Sequence, residues 1–199
     1  MTTKTVKAGL AITLFLLGTS AFAQQTKTVD AGVTTVQLSS TFVGALTSLK
    51  VTPGTVSPTH IYNGTADFPI VGGAIDLDTA EGNILHSGGL TLTAGGITVT
   101  LQSFIIDTTG SAPVITGLVS AQGKLVGRLP LFDLAVPSGI TPLKPQYGFF
   151  LCLNGIPVTL DPAAAAALNA VYDVTAFTGG LSIGTANVNA YLQVQRWFF

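Results

Sequence analysis

The chain has 199 residues, of which 47% are hydrophobic and 9% charged, with a formal net charge of −1 at pH 7. That composition supplies a buried core and lies far from the polar, highly charged make-up of disordered chains. Past residue 23 the cations Lys27, Lys50, Lys124, Lys144, Arg128 and Arg196 are scattered singly, which excludes the basic face that nucleic acid needs and the cationic amphipathic helix that anionic lipid needs.

In chain order, Lys4 and Lys7 precede an apolar run from Ala8 to Leu17, and Ala21-Phe22-Ala23 places small residues where a signal peptidase reads. Residues 1–23 are therefore expected to be a cleavable signal peptide, because the run is about half the ~20 residues of a spanning helix. Residues 24–199 are expected to form a single β-rich domain with no transmembrane helix after cleavage. Its location would be periplasmic, cell-surface or extracellular.

TKTVDAGVTTVQL, residues 26–38, predicts a first strand or strand pair. Between Ser39 and Leu49, Phe42, Ala45, Leu46 and Leu49 recur at i, i+3, i+4 and i+7, a short amphipathic helix with a serine N-cap. Pro53 and Pro58 then break the chain. Period-two alternation, punctuated by Gly-Gly pairs and Asp-rich turns, predicts strands near 66–78, 83–93, 96–107, 113–121 and 124–134. A Pro-rich loop from Pro137 to Pro145 precedes a strand near 147–159. Asp161 as N-cap, Pro162 at the first helical position and the alanines Ala163–Ala167 predict a second helix to Val171. Closing strands are expected near 174–177 and 181–197. Val36-Gln-Leu-Ser and Val158-Thr-Leu-Asp enter the two helices with Ala45-Leu46 and Ala167-Leu168 at identical offsets, so each helix is fed directly by a strand. Such a succession, with no crossover helices between strands, suggests an antiparallel sandwich or barrel, and of the two the expected fold is an all-β antiparallel β-sandwich, immunoglobulin-like or related, with one or two short helices.

Few residues carry chemistry. No G-x-S-x-G elbow serves Ser87, whose neighbour His86 would point to the opposite face of a strand. No enzyme is expected. Asp76, Asp78 and Glu81 lie within six residues, a spacing open to a hard cation but without the register of a calcium loop. Cys152, the only cysteine, excludes an internal disulfide and reads as a small core residue in FFLCL. His60 reads as an exposed loop residue, and His86 as a turn residue first and a ligand contact second. Tyrosine can hold ferric haem through its phenolate oxygen. Tyr62 and Tyr147 lie in or beside Pro/Gly-rich loops, where binding residues concentrate, whereas Tyr172 and Tyr191 fit packing. The candidate ligand-binding residues are thus His86, Tyr62 and Tyr147, with no metal assigned.

FPIVGGAIDLD, HSGGLTLT, GRLPLFDL, VTLDPAAAAALNA and GGLSIGTANV, spread over residues 66–190, resemble the HtaA-type domains of bacterial secreted and surface proteins. The resemblance implies a β-sandwich with a short helix and, for characterised members, haem binding outside the cytoplasm. The W-G-x-K-x-S-F-type segment that introduces their iron-ligating tyrosine has no counterpart between Gln24 and Tyr62, so that ligand is not carried over. The expected function is an exported, non-enzymatic binding domain for haem, another small molecule or a cell-surface protein. Two alternatives stand beside it: a structural surface-interaction protein without a ligand, and a small outer-membrane β-barrel ending in Trp197-Phe198-Phe199.

Overall fold

The computed structural model describes residues 25–194; the expected signal peptide and Trp197-Phe198-Phe199 lie outside the described residues. β1 (Thr26–Leu38) runs into α1 (Ser40–Ser48). There follow β2 (Thr52–Val56), β3 (His60–Tyr62), β4 (Thr65–Asp76), β5 (Gly82–His86), β6 (Gly89–Ala94), β7 (Ile97–Asp107), β8 (Val114–Ala121), β9 (Lys124–Leu134) and β10 (Phe150–Leu160), then α2 (Pro162–Tyr172) and β11 (Ser182–Leu192).

The architecture is a closed barrel, which corrects the expected two-sheet, immunoglobulin-like sandwich. The ring runs β7-β5-β4-β1-β11-β10-β9-β8, and β8 pairs back onto β7 through Val99↔Ala121 to Asp107↔Val114. All these pairings are antiparallel. β6 and β2 extend the sheet off β7, and β3 off β4. Alternation at period two reports only that one face is buried, and a barrel wall satisfies it as well as a sandwich layer does.

The alternation settles a second expectation. On β11, Ile183, Ala186, Val188, Ala190 and Leu192 are buried, while Thr185, Asn187, Asn189 and Tyr191 face outward. On β7, Val99, Leu101, Phe104 and Ile106 are buried, and Thr98, Thr100 and Gln102 lie on the outer face. A membrane-spanning barrel needs the reverse, an apolar band toward lipid around a polar lumen. The outer-membrane barrel reading is corrected on that ground. Among the described residues no helix is long and apolar enough to cross a membrane.

The predicted strand at 83–93 is two. The chain breaks at Ser87-Gly88, where Ser87 N–H donates to Pro69 O at 3.0 Å and Ser103 N–H to Gly88 O at 2.9 Å. Opposite the break β7 carries a register shift between Gln102 and Ile105, with Ser103 at φ 52°. The bulge lets β5 stay on β4 while β6 leaves to pair with β2, a device that re-aims side chains. β2 and β3 occupy what Pro53 and Pro58 mark as a loop; Pro53 is tolerated because β2 is an edge strand. The strand expected at 174–177 is absent, because the side-chain amide of Asn169 takes its hydrogen bonds, accepting from Phe177 N–H at 3.0 Å and donating to Phe177 O at 2.8 Å.

Both helices start as predicted. Ser39 Oγ accepts from Phe42 N–H at 3.0 Å, and Asp161 Oδ1 from Ala163 and Ala164 N–H at 2.7 and 3.1 Å. Fed by β1 and β10, which both flank β11, they sit over the same end of the barrel. Residues 135–149 cover the other end, tied by Ala135 N–H to Pro157 O and by Leu143 N–H to Leu77 O.

Candidate functional site

The helical end holds a cavity of about 150 Å3 that reaches the surface beside the exposed Val126 and Ala167. Its wall comes from every strand of the ring, with Phe68, Phe104, Leu131 and Phe132 around it and Leu168 and Val171 of α2 as part of its roof. Phe68 and Phe104 meet edge to face at 5.3 Å. Thr34 and His86 are the two polar residues in this otherwise apolar lining.

Those two hold each other. Thr34 Oγ1 lies 2.7 Å from His86 Nε2, and His86 Nδ1 lies 3.3 Å from Phe104 O. A carbonyl can only accept, so Nδ1 carries the proton, Nε2 of the neutral ring accepts, and the Thr34 hydroxyl donates. Burial pushes the imidazole pKa down from 6.5 to about 4, opposed in part by the hydrogen bonds to the Phe104 and Ile84 backbone. The ring is therefore neutral at pH 7 with both nitrogens engaged. Thr34 was missed from sequence, although its signal was there: a threonine two residues before Val36, on the inward side of an alternating strand.

The other candidates are elsewhere. Tyr62 and Tyr147 are 77% and 89% exposed, and neither lines the cavity. Tyr62 pairs near Gln37 of β1, while the turn holding Tyr147 adjoins Phe150, whose partner Tyr191 faces Ala31. Six strand residues separate those levels, about 20 Å at ~3.3 Å per residue. His86, Tyr62 and Tyr147 are not brought together. His60 is exposed, as expected. Cys152 is half-buried rather than core, in a crevice beside Lys144 and Asn154. Asp76 is a turn cap: its Oδ1 accepts from Asp78 N–H, Thr79 N–H and the Thr79 hydroxyl. Among the described residues no group of three or more His, Cys, Asp or Glu side chains could hold a metal ion.

A scan against models of known families finds no match, and a search of curated proteins finds none. Among solved structures the C-terminal domain of HtaA from Corynebacterium glutamicum superposes with a TM-score of 0.63 at 14% identity, covering 84% of this chain and 99% of that one. The N-terminal domain of the same protein gives 0.62 at 12%, covering 83% and 99%. The chain has the HtaA-domain fold. The likeness extends over nearly the whole of each HtaA domain.

The barrel interior does not fit haem. Its cavity is smaller than the roughly 300–1,000 Å3 of sites for drug-sized ligands and contains no tyrosine. His86 has no free nitrogen for iron, and no cation lines the wall to meet propionates.

Proposed function

We propose that this HtaA-fold domain is a non-enzymatic binding protein acting outside the cytoplasm, which holds a small, uncharged, apolar molecule in the barrel beneath α2. The observation that carries the reading is the cavity itself: apolar, walled by strands all round, with its two polar groups satisfied by protein. An apolar cavity near 150 Å3 stays dry and takes benzene-sized guests. An apolar lining with no ionised side chain offers nothing to a charged ligand and no acid–base pair for catalysis. The signal-peptide pattern at residues 1–23 supports export.

Benzene is the direct probe. At ten times its Kd it should stabilise the fold by about 1.4 kcal/mol, which raises the Tm by about 3–6 °C in a domain of this size. Ala164 lines the cavity, and Ala164→Leu should remove the shift. No shift in the unmodified protein at saturating benzene would sink the proposal. Hemin gives the complementary result. Its absorption should stay that of free hemin in the presence of protein, and a Soret band lost in His86→Ala, Tyr62→Phe or Tyr147→Phe would restore the haem reading.

A further inference from the structure

A second cavity, of about 250 Å3, lies beneath the loop 135–149 at the opposite end of the barrel. The strand residues lining the two cavities follow one another along the same strands. On β7 the first takes Val99, Leu101 and Phe104, and the second takes Thr108 just past the strand's end, while on β9 Leu129 and Leu131 are followed by Leu134. On β10 and β11, which run the other way past β9 and β1, the second cavity takes Ile156 and Ala186 and the first Val158 and Ile183. The cavities are therefore stacked along the barrel axis. Ile106 lines both. Neither alone reaches the ~300–1,000 Å3 usual for a ligand site, but joined they do.

The two ends differ in chemistry. The compartment under α2 is apolar, whereas the one under the loop adds the hydroxyls of Thr79, Thr108, Ser138 and Thr141 and has no ionised side chain in its wall. Thr79 and Thr108 already donate to Asp76 Oδ1 and Ala80 O. Ser138 and Thr141 stand exposed on the loop at the rim. Lys144 is outside this compartment, in the adjoining crevice beyond Pro137 and Ile140.

Resting on the reading of the barrel as an apolar-ligand site, we infer that the two cavities form one channel partitioned by Ile106, and that its ligand is an unbranched chain with an uncharged polar end. The chain lies under α2 and the polar end at the loop rim, among the hydroxyls. Ile106 is 6% exposed and presents only a branched aliphatic side chain at the partition, so a rotamer change there is the movement that joins the compartments.

The n-alkanols from butanol to dodecanol test the channel, with benzene as competitor. In the unmodified protein affinity should rise about fourfold per added methylene beyond the length the first compartment holds, and benzene should displace decanol. Ile106→Ala should tighten decanol by about tenfold while leaving butanol within twofold; where that variant does not fold, the competition in unmodified protein decides. Decanoate should bind at least tenfold more weakly than decanol, for want of a cation. Affinity that levels off at short chains, or simultaneous binding of benzene and decanol, overturns the channel while leaving benzene binding and the simpler reading intact. Decanoate binding as tightly as decanol overturns the uncharged end. Failure of both benzene and alkanols overturns the simpler reading and the channel with it.

Discussion

Replacing Thr34 by Val and His86 by Phe together should cost less stability than the sum of the two single changes. Thr34 is 3% exposed and His86 5%, so a lone His86→Phe leaves a buried hydroxyl without its acceptor, and a lone Thr34→Val leaves Nε2 without its donor. Each orphaned group costs about 1–3 kcal/mol. Removing both partners avoids the cost of orphaning either member of the pair, while the loss of the Nδ1 donor to Phe104 O is common to the His86→Phe and double variants and cancels, so urea unfolding of the four proteins should give a coupling of about 1–3 kcal/mol. The pair also sets a pH dependence whose sign follows from the burial. The folded imidazole has its pKa near 4 against 6.5 when unexposed to the protein interior. Above pH 6.5 it is neutral in both states and contributes nothing to the slope. As pH falls from 6.5 to 4 the unfolded chain takes up a proton that the folded chain refuses, and stability drops by about 3 kcal/mol at ~1.36 kcal/mol per pKa unit. The double variant should lack this component of the slope. Parallel stability–pH curves for the unmodified and double-variant proteins would show that His86 is not buried as a neutral ring.

How far the sequence carried is clearest at particular residues. Asp161-Pro162 and Ser39 specify helix starts through local hydrogen bonds and a fixed φ, so both helices were legible. The strand at residues 26–38 matches β1, its alternation clear from Thr34 to Val36 and interrupted only by a bulge between Val29 and Ala31. Closure was not legible. It depends on β8 meeting β7 on one side while β5 and β6 share the other, and pairing partners far apart in the chain leave no trace in a period-two pattern. Gly88 and Gly89, which follow His86, make it read as a turn residue. The bulge at Ser103, in a different strand, is what leaves β5 on the ring with His86 facing inward. Its partner Thr34 lies 52 residues away, so the pair could be seen only in the folded chain. Tyr62 and Tyr147 lie near glycine and proline, which marks turns and loops but carries no information about which of them converge.

A glycine inside a strand yields the largest single-site effect. Gly72-Gly73 falls within the strand expected near 66–78, and both residues lie within β4. Gly73 has φ 144°, and a Cβ there would overlap the carbonyl oxygen of Asn83 and stand 3.1 Å from Ile84 Cα on β5. The missing side chain lets β4 and β5 come together at the bend that curls the sheet toward closure, as barrels require of glycine kinks. Gly73→Ala therefore combines a backbone conformation that L residues avoid with a clash against backbone, which cannot move aside as a side chain could. Strain and overpacking of about 1–3 kcal/mol each put the loss near 3 kcal/mol or more, and the benzene stabilisation should shrink as the ring opens. Gly44 is the counter-case. It lies inside α1 with nothing within 4 Å of an added Cβ and no positive φ. Gly44→Ala should stabilise the fold by about 0.5–1 kcal/mol through helix propensity. Urea midpoints moving in opposite directions for the two substitutions would show that steric closure of β4 on β5, and not glycine's general flexibility, is what position 73 supplies. A Gly73→Ala protein as stable as the unmodified one would mean that β4 and β5 do not approach as closely as the barrel demands.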